Sequence, residues 1–302
     1  MRYYLTDSSL LVRGRFHACS TGPGGGVREV TTLLNHTVSH DFSGDPETTI
    51  QRESHSNGLF GPVFGLLTAV PVRTLCITRY DRVTCFITAG ATHPDQNSHT
   101  IDMTPPTAGT INIICCINGG MADQGLLDAI ITVTEAKALS LFRKGEKFAG
   151  TVTDAVIVAS EGSGESEYAG SATEIGRFIH EAVFFGVGIA LQTYEEQKLS
   201  PSLYVHSSIG GNRWIEWVQQ GCPYYPCHFK GQRCDLCYCP LYPCTDERLG
   251  EWSTSSTGRK IWSCAPCTLN HQPAVVRHLR RNPEASLSEL KSVFATTGQK
   301  GK

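Results

Sequence analysis

Eight cysteines between Cys222 and Cys267 carry the plainest chemistry in this sequence. They run Cys222-x4-Cys227-x6-Cys234-x2-Cys237-x1-Cys239-x4-Cys244-x19-Cys264-x2-Cys267. Residues 222–227 and 239–244 share the form Cys-Pro-x-Tyr-Pro-Cys. Proline fixes φ and removes an amide donor, so each segment is a stiff loop holding two sulfurs. A tetrahedral zinc site takes four ligands, usually from two such pairs. The two like loops could supply one site, and Cys234/Cys237 with Cys264/Cys267 another; Cys239 could also replace a member of its neighbouring pair. His228 and His271 are spare nitrogen ligands. Full thiolate ligation leaves no open position for water, so the expectation is one or two structural zinc ions. An iron–sulfur cluster is the rival, but the spacing does not follow the ferredoxin runs. Nothing calls for an organic cofactor.

Upstream, small polar residues and glycines recur. In Ser20-Thr-Gly-Pro-Gly-Gly-Gly26, the amides of Gly24, Gly25 and Gly26 can approach a ligand closely. If Val27 to Val38 is a short helix, its N-terminus would favour an anion. His93 follows a strand in Thr88-Ala-Gly-Ala-Thr-His-Pro94 and is a candidate base or substrate contact. Thr110 and Asn112 share one face of a strand by alternation. Glu135 and Lys137, two residues apart on a helix, cannot face each other, so one of them faces the interior. A buried carboxylate there would have a raised pKa. Thr151 and Thr153 share a face while Asp154 points away. A carboxylate entering a buried strand needs hydrogen bonds, so Asp154 is either a structural cap or a general base. His36 and His40, beside Asp41, would share a helix face but lack a third metal ligand. No nucleophile elbow, dinucleotide fingerprint or kinase signature is present.

Periodicity assigns the elements that must position these groups. Residues 8–16, 73–88, 111–117 and 152–159 read as strands, the second as a hairpin turning at Tyr80-Asp81. Residues 111–117 are apolar enough for a central strand covered on both faces. Ala122 to Arg143 and Ala172 to Lys198 carry apolar residues at helical spacing. The expectation is an α/β or α+β layered domain with a mixed sheet over residues 1–200. A linker follows at 201–221, then a cysteine-rich, metal-stabilised module at 222–302. A terminal helix near 286–294 starts on a capping box of Ser286 and Glu289.

Composition agrees with that division. The chain has 302 residues, 40% of them hydrophobic and 18% charged, which excludes wholesale disorder and a fibre. Residues 222–302 hold 11 Lys/Arg and 6 Asp/Glu, leaving +5 there and −7 in the rest. That imbalance is too small to call for nucleic acid; Arg277, Arg280 and Arg281 are its only basic cluster. The opening residues lack the apolar stretch of a signal peptide, and no apolar run reaches membrane-span length. The expectation is a cytoplasmic protein with reduced thiols and no membrane span; the oligomeric state is not readable.

Taken in order, several segments resemble the adenosylcobinamide amidohydrolase family of corrinoid salvage enzymes. They are Ser20-Thr-Gly-Pro-Gly-Gly-Gly, Gly65-Leu-Leu-Thr-Ala, Thr88-Ala-Gly, Gly109-Thr-Ile-Asn-Ile-Ile, Thr134-Glu-Ala-Lys-Ala, Gly150-Thr-Val-Thr-Asp-Ala and Tyr168-Ala-Gly-Ser, spanning roughly residues 8–195. The family usually has Thr-Gly-Thr where this chain has Ala149-Gly150-Thr151. The module from Cys222 is similar to a cysteine-rich domain found with such enzymes in archaea. The resemblance implies a corrinoid substrate: adenosylcobinamide or its phosphate, cleaved at the aminopropanol amide to give adenosylcobyric acid. Such a reaction needs a general base, an oxyanion partner and groups that orient the amide. Asp154 or Glu135 would be the base. Thr153, Thr110 or a glycine-loop amide would hold the oxyanion, and Lys137 or Asn112 would orient the amide. Residues 22–26 would take the phosphate when present. The alternative is a non-catalytic corrinoid carrier whose zinc module serves as a docking or regulatory platform.

Overall fold

The computed structural model describes residues 1–91, 109–162, 166–207, 212–216, 226–233, 239, 241–254, 260–282 and 285–298. Two compact units form: Tyr3–Trp217, and Val218–Lys302 with Met1–Arg2. In chain order the larger unit runs β1 (Arg2–Leu5), β2 (Ser9–Ser20), β3 (Gly26–Thr37), α1 (Pro46–Ser56), β4 (Val63–Thr68), β5 (Cys76–Tyr80), β6 (Val83–Ala91), β7 (Gly109–Ile117), α2 (Asp123–Arg143), β8 (Ala155–Ser160), α3 (Glu174–Glu195), β9 (Ser202–Ser207) and β10 (Arg213–Glu216). The smaller unit holds β11 (Glu251–Thr254), β12 (Lys260–Ser263), α4 (Pro273–Arg281) and α5 (Leu287–Gly298).

Among the described residues, ten strands make one mixed sheet in the order β10-β9-β5-β6-β7-β8-β2-β3-β4, with β1 on β2. Along that order β7/β8, β3/β4 and β5/β9 are parallel; β10/β9, β5/β6, β6/β7, β8/β2 and β2/β3 are antiparallel. The α/β class with a mixed sheet is as expected from the sequence. So are the hairpin at Asp81, the apolar central strand β7 and the two long helices.

Strand alternation divides β7 between two cores. Ile111, Ile113, Cys115 and Ile117 join Val133 and Ala136 of α2 and Ile179 and Val183 of α3 in the larger hydrophobic core. Burying each such aliphatic side chain stabilises the fold by about 1.5–3 kcal/mol. α3 lies close because Gly186 has no side chain: a Cβ there would sit 2.6 Å from Ile87 Cδ1.

The opposite residues of β7 meet β3 and β4. Asn112 Nδ2 donates to the Leu67 carbonyl oxygen and to Asn35 Oδ1, each at 2.9 Å. Asn35 Nδ2 donates to Thr88 Oγ1 at 2.9 Å. Since β8, β2 and β3 separate β7 from β4 along the sheet, these contacts require the sheet to curl back on itself. Asn35 and Asn112 are each only 1% exposed, so the network lies in the fold's interior.

Three expectations need correction. Val27–Val38 is not a helix but most of β3, held by β2 and β4 on its two edges. Val27, Val30 and Leu34 fit a helical period, but the β-branched residues between them favour a strand once two edges are available. Within the expected 201–221 linker, Ser202–Ser207 and Arg213–Glu216 are strands of the sheet. β9 pairs with β5 and β10 with β9, and Trp214 stacks on Phe185 with ring centroids 4.5 Å apart. His36 and His40 share no helix face, since His36 lies in β3. Its Nδ1 is 2.8 Å from Ser9 Oγ, which donates to Glu53 Oε1 at 2.7 Å.

α1 was not anticipated, although Asp45-Pro46-Glu47 is a regular start signal. Asp45 accepts from the Thr48 amide at 2.7 Å, with Pro46 in the first turn. In the smaller unit, α4 and α5 close a core of Leu269, Val275, Leu279, Ala285 and Leu290. α5 has the expected capping box: the Glu289 amide donates to Ser286 Oγ at 3.3 Å, and the Ser286 amide to Glu289 Oε2 at 2.7 Å.

Candidate active site

The start of β8, the start of β7 and the end of β2 meet at one end of the sheet. Asp154, just before β8, points toward α2 and pairs with Lys137: Nζ and Oδ2 are 2.6 Å apart, and the two side chains are 8% and 9% exposed. The Thr151 amide also donates to Oδ2, at 3.1 Å. The Ile111 amide donates to Oδ1 at 2.9 Å, and the Thr151 hydroxyl reaches the same oxygen. Two oxygens with four donors explain how a carboxylate is tolerated here. Gly150 completes the enclosure. A Cβ on it would lie 2.5 Å from Asp154 Oδ2 and 2.6 Å from Lys137 Nζ, so any side chain would displace the pair.

A hydroxyl pair lies beside it. Thr110 and Thr153 bring their Oγ1 atoms to 2.6 Å, and Thr153 donates to the Gly109 carbonyl oxygen at 3.2 Å. Thr110 therefore donates to Thr153. Thr110 is buried, whereas Thr153 is exposed and can meet a ligand. Deeper on the same face of β7, Asn112 has both its donor contacts filled while its buried Oδ1 lacks a partner.

The glycine loop stands at the same end but differs from the expectation. It is the turn of the β2–β3 hairpin, with Ser20 paired to Gly26, and no helix N-terminus follows. Gly24 and Gly26 take φ of 60° and 105°, where side chains are strained. The Gly22 amide is taken by Ser20 Oγ at 3.1 Å. The Glu47 carboxylate lies against Gly24, 3.2 Å from where a Cβ would be. A carboxylate beside the loop works against a phosphate there.

Thus Asp154 and Lys137 pair on the α2 side, and Thr110 and Thr153 pair on the opposite face of β7 at the same end of the sheet, with Gly24–Gly26 near that edge. Glu135 does not join them; it lies on the exposed face of α2, and Lys137 is the inward member of that pair. His93 lies outside the described residues. Thr151 and Gly150 enter as parts of the enclosure. Sequence alternation paired Thr151 with Thr153, but the tight turn aims Thr151 at Asp154. Asn35 had no local signal, and the segment from Thr88 drew attention to His93 rather than to Thr88 itself.

The body's five cysteines, Cys19, Cys76, Cys85, Cys115 and Cys116, are buried free thiols. Burial pushes Cys76 up to about 12 and also raises Cys116, which keeps both in the unreactive thiol form. In the smaller unit, Cys239, Cys244, Cys264 and Cys267 line one cavity with His228 and His271. Cys227 is exposed, and Cys222, Cys234 and Cys237 lie outside the described residues. Among the described residues, no three His, Cys, Asp or Glu side chains are gathered closely enough to hold an ion. No helix among the described residues is long and apolar enough to cross a membrane.

Comparisons with known proteins also match two parts of the chain. A family model described as adenosylcobinamide amidohydrolase matches residues 9–199, and one described as a cysteine-rich small domain matches residues 213–294. An adenosylcobinamide amidohydrolase of Methanosarcina mazei is 39% identical over 203 residues, covering 64% of this chain and 98% of that protein. One of Halobacterium salinarum is 30% identical over 167 residues, covering 52% of this chain and 72% of that protein. A probable cobalt-factor III C(17)-methyltransferase of Methanothermobacter thermautotrophicus is 42% identical over 64 residues, 21% of this chain and 17% of that protein.

Proposed function

The chain belongs to the adenosylcobinamide amidohydrolase family, and from that premise we propose how its own residues perform the hydrolysis. The enzyme cleaves the amide joining the aminopropanol arm to the corrin ring and releases adenosylcobyric acid. The observation that carries the assignment is the enclosed Lys137–Asp154 pair beside the Thr110–Thr153 hydroxyls, all within the matched region.

Lys137 faces the amide oxygen as negative charge develops there. Thr153, backed by the Thr110 hydroxyl, orients the attacking water. Asp154 takes the water's proton when the Thr151 hydroxyl rotates away, the one donor of its four that can leave without moving the backbone or breaking the ion pair. It then returns that proton to the amine as the C–N bond breaks, so atoms and charge balance. Asn112, only 1% exposed, supports the site from the interior by tying β7 to β3 and β4. The amides of Gly24, Gly25 and Gly26 line the entrance. Glu47 beside Gly24 favours cobinamide over its phosphate.

The cysteine-rich domain takes one or two zinc ions with a structural role, supported by four thiols around one cavity. Zinc bound there would cross-link loops that bury little apolar surface. Cytoplasmic location is supported by the described cysteines being free thiols, as a reducing compartment keeps them.

The test is mass spectrometry of adenosylcobinamide after incubation with the purified chain. Loss of the aminopropanol unit is expected. Unchanged ligand that travels with the protein on gel filtration would mean a carrier.

A further inference from the structure

Along the sequence, the order Cys-Pro-x-Tyr-Pro-Cys followed by Cys-x2-Cys occurs twice, at 222–237 and at 239–267. Pairing like with like would join the two proline loops across these repeats. The structure of the second repeat favours a different set. The 19 residues between Cys244 and Cys264 include the β11–β12 hairpin, in which Glu251 pairs with Ser263 and Thr254 with Lys260. An antiparallel hairpin returns the chain to its starting point, so the segment entering β11 and the one leaving β12 lie side by side. Gly250 marks the close approach: a Cβ on it would be 2.6 Å from the Ser263 carbonyl oxygen. The proline loop just before the hairpin and the Cys-x2-Cys just after it therefore meet. All four of their thiols line the same cavity, whereas Cys227 is not part of that lining: it is exposed and accepts from Gln232 Nε2 at 3.2 Å.

Each pair is also built as a ligand turn. The Tyr242 amide donates to the Cys239 carbonyl oxygen at 3.1 Å, and the Cys267 amide to the Cys264 carbonyl oxygen at 2.9 Å. The Leu241 amide donates to the Cys239 sulfur, and the Leu269 and Asn270 amides to the Cys267 sulfur. Amide donors gain most when the sulfur is an anion, which is its form as a metal ligand. The four sulfurs lie near enough for Cys244, Cys264 and Cys267 to act on Cys239 but do not converge on one point; a divalent cation would draw them together.

We propose that Cys239, Cys244, Cys264 and Cys267 together ligate one divalent zinc ion at the foot of the β11–β12 hairpin. The assignment rests on the metal-binding role proposed above and adds the ligand set. The experiment counts ions per chain by elemental analysis of the full protein loaded with zinc. Cys239→Ser and Cys264→Ser are each expected to lose one ion, and the double variant also only one, because both ligands serve the same ion. Loss of two ions by the double variant would place them on separate ions and overturn the pairing. A wild-type chain without zinc would overturn the metal role itself. A second measurement needs no variant. The wild-type protein is stripped stepwise with a chelator, alkylated and mapped by mass spectrometry. Cys239, Cys244, Cys264 and Cys267 are expected to become reactive as one group. Joint exposure of Cys239 and Cys244 with Cys222 and Cys227 instead would refute the assignment.

Discussion

Lys137 and Asp154 make each other tolerable inside the protein, so their removal should be strongly non-additive. Asp154→Asn leaves an ammonium buried without its carboxylate, a change that costs about 3–5 kcal/mol. Lys137→Met combined with Asp154→Asn removes both charges and should regain most of that stability while turnover stays lost. Thermal unfolding and turnover of the three variants check this. A double variant turning over adenosylcobinamide near the wild-type rate would remove the pair from the mechanism. His36 offers a pH test. Burial lowers its pKa from 6.5, with Glu53 opposing. A lowered folded value means that the unfolded chain takes up the proton first on acidification. The contribution to stability is therefore whole above 6.5 and drains away as pH falls through the folded value. His36→Gln should lose less stability than wild type between about pH 7 and pH 5, measured by denaturant unfolding. Equal losses would show that His36 stays accessible to protons. Helix geometry keeps Glu135 and Lys137 from facing each other, so the sequence reading turned one of them inward. It did not reveal which, since that depends on Asp154 waiting 17 residues away on another element.

At the level of elements, β9 is the strand on which the sheet's far edge depends. Shortening the chain to residues 1–217 keeps β9 on β5 and should leave a folded, active enzyme. Shortening it to 1–200 bares the β5 edge and the aromatic side chains that β10 covers, and should give an aggregating protein. Gel filtration and turnover of the two chains distinguish these outcomes; a monomeric, active 1–200 chain would contradict the role given to β9. This edge was hard to foresee because the partner of Ser202–Ser207 is Cys76–Arg79, far upstream, and local pattern carries no record of it. β3 was missed for a related reason. A segment with apolar residues at both helical and strand spacing is decided by its neighbours, here β2 and β4. By contrast β7, α2 and α3 were readable because their apolar residues admit one period and length, and α5 because Ser286 and Glu289 form a purely local cap.

For the molecule as a whole, the curl of the sheet sets the relation between stability and correctness. Asn35, Asn112 and Thr88 contribute little net stabilisation, since each gave up water for its present partner. Their weight falls on competing structures. If β7 slipped by one residue against β6 and β8, Asn112 would turn toward α2 and α3, among side chains that cannot hydrogen-bond, and Ile111 or Ile113 would fill the polar position. The slipped sheet would keep nearly all its backbone hydrogen bonds and much of its apolar burial, yet carry several orphaned polar groups. Three uncharged side chains thus act as a proofreading mark for the chain during folding, rejecting alignments that the hydrophobic effect alone would scarcely tell apart.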